Sequence, residues 1–135
     1  MKNILKLKKS FSIIELIFAI MIIGIIASVA IPKLLNLNSA ATISSIKQDT
    51  NSIISSIQSY YIINKKIDKI SDSISINTSL WKVEDKKVSY FENEKICISI
   101  SIQNNTLDLL IYPESGNICK KINEQGIVST RFSLY

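Results

Sequence analysis

The longest apolar run of the chain lies near its N-terminus. Residues 16–31 carry no charged side chain, and residues 11–14 extend the run upstream across a single acid, Glu15. As a helix, this run of 21 residues would be about 30 Å long, which matches the hydrocarbon thickness of a bilayer. The pattern therefore predicts a membrane-spanning helix.

Beyond Pro32 the apolar residues recur at spacings of three and four, which predicts an amphipathic continuation of the helix to about Asn64. The apolar stripe comprises Ala40, Ile43, Ile46, Thr50, Ile53, Ile57 and Tyr60 or Tyr61. The opposite side is rich in serine and includes Asp49, so we predict that it is solvated. The stripe itself needs a sheet to cover it.

From residue 79 onward the pattern changes to alternation, which predicts strands. The candidate strands are residues 80–83, 88–91, 96–102, 107–112, 118–122 and 127–132. In residues 96–102 isoleucine alternates with cysteine or serine, so the isoleucines are predicted to share one face. Polar turns at residues 103–106 and 113–117 favour an antiparallel meander.

Together these patterns predict an α+β fold. A long N-terminal α-helix, transmembrane and then amphipathic, packs against a small antiparallel β-sheet. We expect a leader at residues 1–10, the membrane helix at 11–32, its amphipathic continuation and a connector at 33–70, and a β head domain at 71–135.

The distribution of charge supports a distinct leader. The formal net charge is +5, but four lysines, Lys2, Lys6, Lys8 and Lys9, lie in the first ten positions, where there is no acid. Removing these four from the 16 basic residues leaves 12, which nearly balance the 11 acidic ones. Lysines before an apolar span favour a cytoplasmic N-terminus and place the rest of the chain outside.

The remaining lysines do not indicate a nucleic-acid partner. They include three groups: Lys65, Lys66 and Lys69; Lys86 and Lys87; and Lys120 and Lys121. These groups suggest DNA binding, but acids are interspersed with most of them. We therefore expect a solvated surface and no nucleic acid among the partners.

The two cysteines, Cys97 and Cys119, lie in the part expected to face an oxidising space. This favours a disulfide over two buried free thiols. The chain has no histidine and only three glycines, so we expect no catalytic residue, no cofactor and no metal site. We also see no acid-rich loop of the kind that binds calcium.

Hydrophobicity and lysines alone leave the nature of the N-terminal helix open. An ordinary secretory signal peptide has the same pattern, with Ser28, Val29 and Ala30 as its cleavage site, and so has a simple membrane anchor. Neither alternative explains Glu15. A carboxylate in an apolar span costs about 1–3 kcal/mol and is rarely present without a partner or a purpose.

Residues 9–16 read Lys-Ser-Phe-Ser-Ile-Ile-Glu-Leu, which resembles the N-terminal motif of type IV prepilins and type II secretion pseudopilins. The resemblance implies that prepilin peptidase cuts between Ser10 and Phe11 and methylates the new amine of Phe11. It also implies that Glu15 pairs with the positive N-terminal amine of a neighbouring subunit. This pairing lets both charges stay in lipid and sets the stagger between subunits.

Two later positions extend the resemblance, and one departs from it. Gly24 and Pro32 lie where the family places a glycine and a proline that weaken the helix, and both residues lower helix propensity. The family usually has glycine immediately before the cut, whereas this chain has Ser10. A small residue is retained, so we expect processing to occur.

The resemblance implies a non-enzymatic structural subunit of a filament that serves type II secretion, adhesion and motility, or DNA uptake. The implied partners are prepilin peptidase, other pilin or pseudopilin subunits, the inner-membrane assembly platform and membrane lipid. The implied location is the inner membrane, with the head domain outside, and then the filament. Two alternatives stay open: a single-pass membrane-tethered binding module, and a secreted protein that begins near Ile31.

Overall fold

The computed structural model describes residues 11–134, with residues 34–37 described by their backbone alone. The predicted leader, residues 1–10, lies outside the described residues. The elements are α1 (Ile13–Asn64), β1 (Trp81–Val83), β2 (Lys87–Glu92), β3 (Lys95–Gln103), β4 (Thr106–Ile111), α2 (Asn117–Glu124) and β5 (Thr130–Ser133), with short 3-10 turns at Ile70–Asp72 and Pro113–Ser115. The predicted α+β class is confirmed.

The chain divides into two compact units, an N-terminal unit, Met1–Asn38, and a head unit, Ser39–Tyr135. Helix α1 contributes to both, and it ends at Asn64 as the apolar spacing predicts. The next residue, Lys65, has a left-handed backbone with φ of 61°, and its N–H donates to the carbonyl of Tyr61 at 2.8 Å. A left-handed residue of this kind closes a helix at its C-terminus.

In the head unit α1 packs on one face of the sheet through the predicted apolar stripe. The buried members of the stripe are Ile43, Ile46, Thr50, Ile53, Ile57 and Tyr61. The Thr50 hydroxyl is tolerated there because it donates to the carbonyl of Ile46 at 2.7 Å. Ala40 was predicted to belong to the stripe, but it is exposed. Among the α1 residues whose side chains the structure describes, the first buried one is Ile43.

The five strands form an antiparallel meander in which each strand pairs with the next one along the chain. Two-residue turns with left-handed backbone join β2 to β3 at Asn93 and Glu94, and β3 to β4 at Asn104 and Asn105. The sheet contributes to the core Trp81, Val88, Tyr90, Ile98, Ile100, Ile102, Leu107, Leu109 and Ile111. The predicted meander and the turn at residues 103–106 are confirmed.

Two strand predictions need correction. Residues 118–122 lie in helix α2, where the apolar side chains of Ile118, Cys119 and Ile122 share one helical face. The strand predicted at residues 127–132 begins only at Thr130.

Strand β3 departs from strict alternation at Cys97. Tyr90 of β2 pairs with Ile98, whereas its neighbour Phe91 pairs with Ile96. Cys97 therefore faces no residue of β2, which is the arrangement of a β-bulge. Cys97 and Ile98 are both fully buried, while Ile96 is only partly buried. The prediction that Ile96 shares one face with Ile98 is wrong, because the bulge lies between them.

Candidate functional site

The first part of α1 presents a continuous apolar surface. Every side chain from residue 11 to residue 26 is exposed within the chain, including Phe11 at 76% and Ile13 at 79% of its full exposure. Among the described residues, α1 is the one helix long and apolar enough to cross a membrane. An apolar surface of this extent needs a cover other than water.

Glu15 is the one charged residue of this apolar surface, and it lies in the first turn of α1. The N–H groups of Glu15 and Leu16 both donate to the carbonyl oxygen of Ser12, at 3.0 and 3.1 Å. Because α1 begins at Ile13, Glu15 is its third residue. A carboxylate there is favoured by the unpaired N–H groups and the positive end of the helix dipole.

Ser12 and Glu15 have the spacing of a capping box, in which the side chains of a serine before the helix and a glutamate at its third position bind each other's N–H groups. Serine followed three residues later by glutamate before an apolar run is a recognisable helix start, although it is not among the features predicted above. In the structure the N–H of Glu15 donates to the Ser12 carbonyl, so the capping box rests on spacing alone. It is an alternative role for Glu15, beside the intermolecular pairing that the resemblance implies.

Gly24 and Pro32 both lie inside α1. Beyond the backbone of its own helix turns, no described atom comes within 4 Å of a Cβ placed on Gly24, so packing within the chain does not require a glycine there. Pro32 has no N–H to donate to the helix ladder. That these two residues weaken the helix stays a prediction.

The remaining predicted assembly and processing residues are near the helix start. Phe11 precedes α1 at the beginning of the described chain, and Ser10 lies outside it. Phe11, Glu15, Gly24 and Pro32 all fall in the N-terminal unit. They follow one another along a single segment, so the folding of one chain does not gather them into a pocket.

The structure does bring the two cysteines together. Cys97 and Cys119 form a disulfide with an S–S distance of 2.11 Å and a Cα–Cα distance of 5.6 Å, which confirms the predicted pairing. Both residues are fully buried. Because Cys119 lies in α2, the bridge ties a helix to strand β3 and does not join two strands as the sequence predicted.

A carboxylate from the sheet holds the start of α2. Glu92, at the end of β2, accepts the N–H of Ile118 at 3.0 Å and the N–H of Cys119 at 2.8 Å. These are two of the N–H groups that a helix start leaves unpaired. Gly116 permits this approach, because a Cβ at that position would lie 2.2 Å from the carboxyl carbon of Glu92.

Asp49 contradicts the prediction of a fully solvated outer side of α1. Its carboxylate accepts the indole N–H of Trp81 at 3.0 Å. Trp81 is only 1% exposed, and its ring contacts that of Tyr90 at 5.7 Å between centroids. The acid therefore satisfies the one polar group of a buried aromatic side chain.

The shifted pKa values in the head unit have structural causes. Burial raises the pKa of Tyr90, and the negative charge of Glu92 raises it further. The hydrogen bond to Asp108 raises the pKa of Arg131, whose Nε donates to Asp108 at 2.5 Å. Among residues 11–134, no group of three or more histidine, cysteine or acidic side chains is placed to hold a metal ion.

The likeness to prepilins rests on the N-terminal motif alone. In comparisons with known proteins, no protein family, no curated protein and no solved structure matches the chain.

Proposed function

We propose that this chain is a structural subunit of a type IV pilus-like filament, either a pilin or a pseudopilin. The observation that carries the proposal is the exposed apolar surface of residues 11–26, in which Glu15 is the one charged side chain. Lipid can cover such a surface in the membrane, and the corresponding helices of other copies of the chain can cover it in a filament.

The placement of Glu15 gives the pairing between copies its physical basis. A cut between Ser10 and Phe11 creates a positive amine four residues before the carboxylate. Two opposite charges in an apolar medium are costly apart and are tolerated when paired with good geometry. A new subunit is therefore most stable where its Glu15 meets the amine of a subunit already in the filament.

The lysines of the leader support the orientation that this assembly requires. They favour a cytoplasmic N-terminus, so the head unit lies on the outer side of the inner membrane. Prepilin peptidase, the assembly platform, lipid and other subunits are the partners in this proposal. Secretion, adhesion, motility and DNA uptake are the processes that such a filament serves.

Substitution of Glu15 separates pairing from capping. Glu15→Gln keeps a side chain that can serve in a capping box, but it removes the negative charge. We expect both Glu15→Gln and Glu15→Ala to insert into the membrane as the wild type does and to lose filament assembly. The measurements are the membrane-bound fraction and the amount of filament sheared from cells.

Ser28→Ala is the matched control, because Ser28 is an exposed polar residue of the same helix whose hydroxyl bonds within it, to the carbonyl of Ile25 at 2.7 Å. This variant should assemble normally. Normal filaments from Glu15→Gln, with loss only in Glu15→Ala, would assign Glu15 to helix capping and contradict the pairing mechanism.

N-terminal sequencing of the protein isolated from cells distinguishes the alternatives. A filament subunit begins at a methylated Phe11. A membrane-tethered binding module keeps its original start, and a secreted protein with an ordinary signal peptide begins near Ile31. Either of the last two results would contradict the proposal.

A further inference from the structure

A polar cavity of about 350 Å³ lies at the C-terminal end of α1 in the head unit. Its polar lining comes from Lys65, Lys66, Lys86, Asp68, Asn104 and Asn105. Two buried isoleucines, Ile67 and Ile102, supply apolar surface. Cavities that hold small ligands begin at about 300 Å³, so there is room for one compact group and a small substituent.

The charges of this cavity are unbalanced. The lining includes three lysines and a single acid, Asp68, which leaves a net charge of +2. Lys66 pairs with Asp68 at 3.0 Å, but the two side chains are 75% and 73% exposed, so this pair is weak. Lys86 donates to the carbonyl of Ile67 at the long distance of 3.4 Å. Lys65 makes no side-chain hydrogen bond or ion pair with a described residue.

The backbone of Lys65 is also unfavourable for its residue type. It closes α1 with φ of 61°, a left-handed conformation in which glycine, and less often asparagine, is the usual residue. A lysine at this position accepts backbone strain and places a cation beside the cavity. Glu94, in the β2–β3 turn, has a similar φ of 63°, so the strain at Lys65 accompanies the cavity and does not by itself mark a binding site.

We propose that this cavity binds a small anion of the phosphate monoester class. Lysine ammonium groups bind phosphate oxygens as point charges, and the asparagine amides of the β3–β4 turn supply neutral donors. A monoester carries close to two negative charges at neutral pH, which matches the net charge of the lining. This binding does not depend on filament assembly.

The charge match also predicts selectivity. A phosphodiester carries one negative charge, so it should bind about tenfold more weakly than a monoester of similar size. Glycerophosphoglycerol, the soluble diester that corresponds to a phospholipid headgroup, is the appropriate comparison for glucose 6-phosphate. Tighter binding of the diester would overturn the assignment in favour of a lipid or polymer phosphate.

The test uses the full chain in neutral detergent micelles, with calorimetric titration of each phosphate at low and high salt. We expect saturable binding of glucose 6-phosphate that weakens as salt screens the lysines. Lys65→Gly and Lys86→Gln should each raise Kd about tenfold. Lys120→Gln with Lys121→Gln removes two exposed lysines of α2 and is the control, which should leave Kd unchanged.

Two variants separate lost binding from damage to the fold. Lys65→Gly should raise Tm, because glycine relieves the left-handed strain, while it weakens binding. Asp68→Asn should tighten binding, because it removes the one acid of the lining and frees Lys66. No saturable binding, equal weakening in the α2 control, or failure of Asp68→Asn to tighten binding would each overturn the proposal.

Discussion

Trp81 and Asp49 show how one residue pair fixes the contact between α1 and the sheet. The pair places an acid of the helix against the indole N–H of a side chain that is 1% exposed. Helix α1 places the carboxylate of Asp49 beside the sheet, and the hydrogen bond to the indole keeps it there. A pattern of apolar residues along the sequence shows neither the position of the acid nor its partner.

Removing this acceptor should destabilise the head unit. Asp49→Ala leaves the buried indole N–H without a partner, and we expect a loss of about 1–3 kcal/mol in the free energy of unfolding. Asp49→Asn keeps an acceptor oxygen and should cost less. The measurement is urea unfolding followed by the fluorescence of Trp81, which is the single tryptophan of the chain.

Gln48→Ala is the control for this change, because Gln48 is the exposed neighbour of Asp49 on the same helix. Its unfolding midpoint should stay close to that of the wild type. If Asp49→Ala and Gln48→Ala gave the same midpoint, the bond between Asp49 and Trp81 would contribute nothing to stability.

At the residue scale, the sequence predicts what depends on residue type and misses what depends on distant partners. Cys97 and Cys119 were predicted as a pair because two cysteines in an oxidising space have one possible partner each. Asp49 and Glu92 were not predicted, because their partners lie 32 and at least 26 residues away along the chain. The capping-box spacing of Ser12 and Glu15 was not predicted either, although it is visible within four residues of the sequence.

At the element scale, helix α2 depends on a residue outside itself. It has eight residues, a length at which an isolated helix is unstable in water. Glu92 binds two of its first N–H groups, and Gly116 leaves the space that the carboxylate occupies. The start of α2 therefore depends on the hydrogen bonds that it makes with Glu92 at the end of β2.

A double-mutant cycle on Glu92 and Gly116 should reveal this coupling. Glu92→Ala removes the acceptor and should cost about 1–2 kcal/mol in stability. Gly116→Ala should cost a similar amount, because its new methyl group displaces the carboxylate. The double variant should cost no more than either single one, as measured by urea unfolding.

Glu124→Ala is the control for the cycle, because Glu124 is an exposed acid at the far end of α2. It should have little effect alone and should add independently to Gly116→Ala. If Glu92→Ala and Gly116→Ala also added independently, the glycine would matter for a reason other than the approach of Glu92.

The elements with longer periodic patterns were predicted with nearly correct bounds. The course of α1 to Asn64 and strands β2 to β4 follow from spacings that persist over six or more residues, while the three-residue strand β1 was predicted one residue too long. Residues 118–122 have too few positions to separate a strand from a helix, and the decisive contact with Glu92 comes from β2. The bulge at Cys97 could not be predicted, because isoleucine alternates with cysteine and serine without a break in the sequence, whereas the pairing with β2 skips Cys97.

At the scale of the whole molecule, the disulfide is the one covalent link between distant parts of the head unit. It closes a loop of 22 residues, and a loop of this length stabilises a fold by about 3 kcal/mol. Replacing Cys97 and Cys119 together by alanine should lower the free energy of unfolding by about that amount. Urea unfolding with and without reductant measures the change.

The reductant provides the internal control for this prediction. Reduction should bring the wild-type midpoint close to that of the double alanine variant, while the variant itself should not respond. A variant whose midpoint equals that of the oxidised wild type would show that packing of α2 on the sheet, and not the bridge, supplies the stability.

The bulge at Cys97 makes the disulfide a check on how the strands are aligned. A slip of one residue in β3 turns every side chain of the strand to the opposite face, and Cys97 would then point away from Cys119. Oxidation therefore proceeds only in chains whose strands are already matched correctly. For the filament subunit that we propose, thiols that remain free in an oxidising space would mark the chains in which β3 is misaligned.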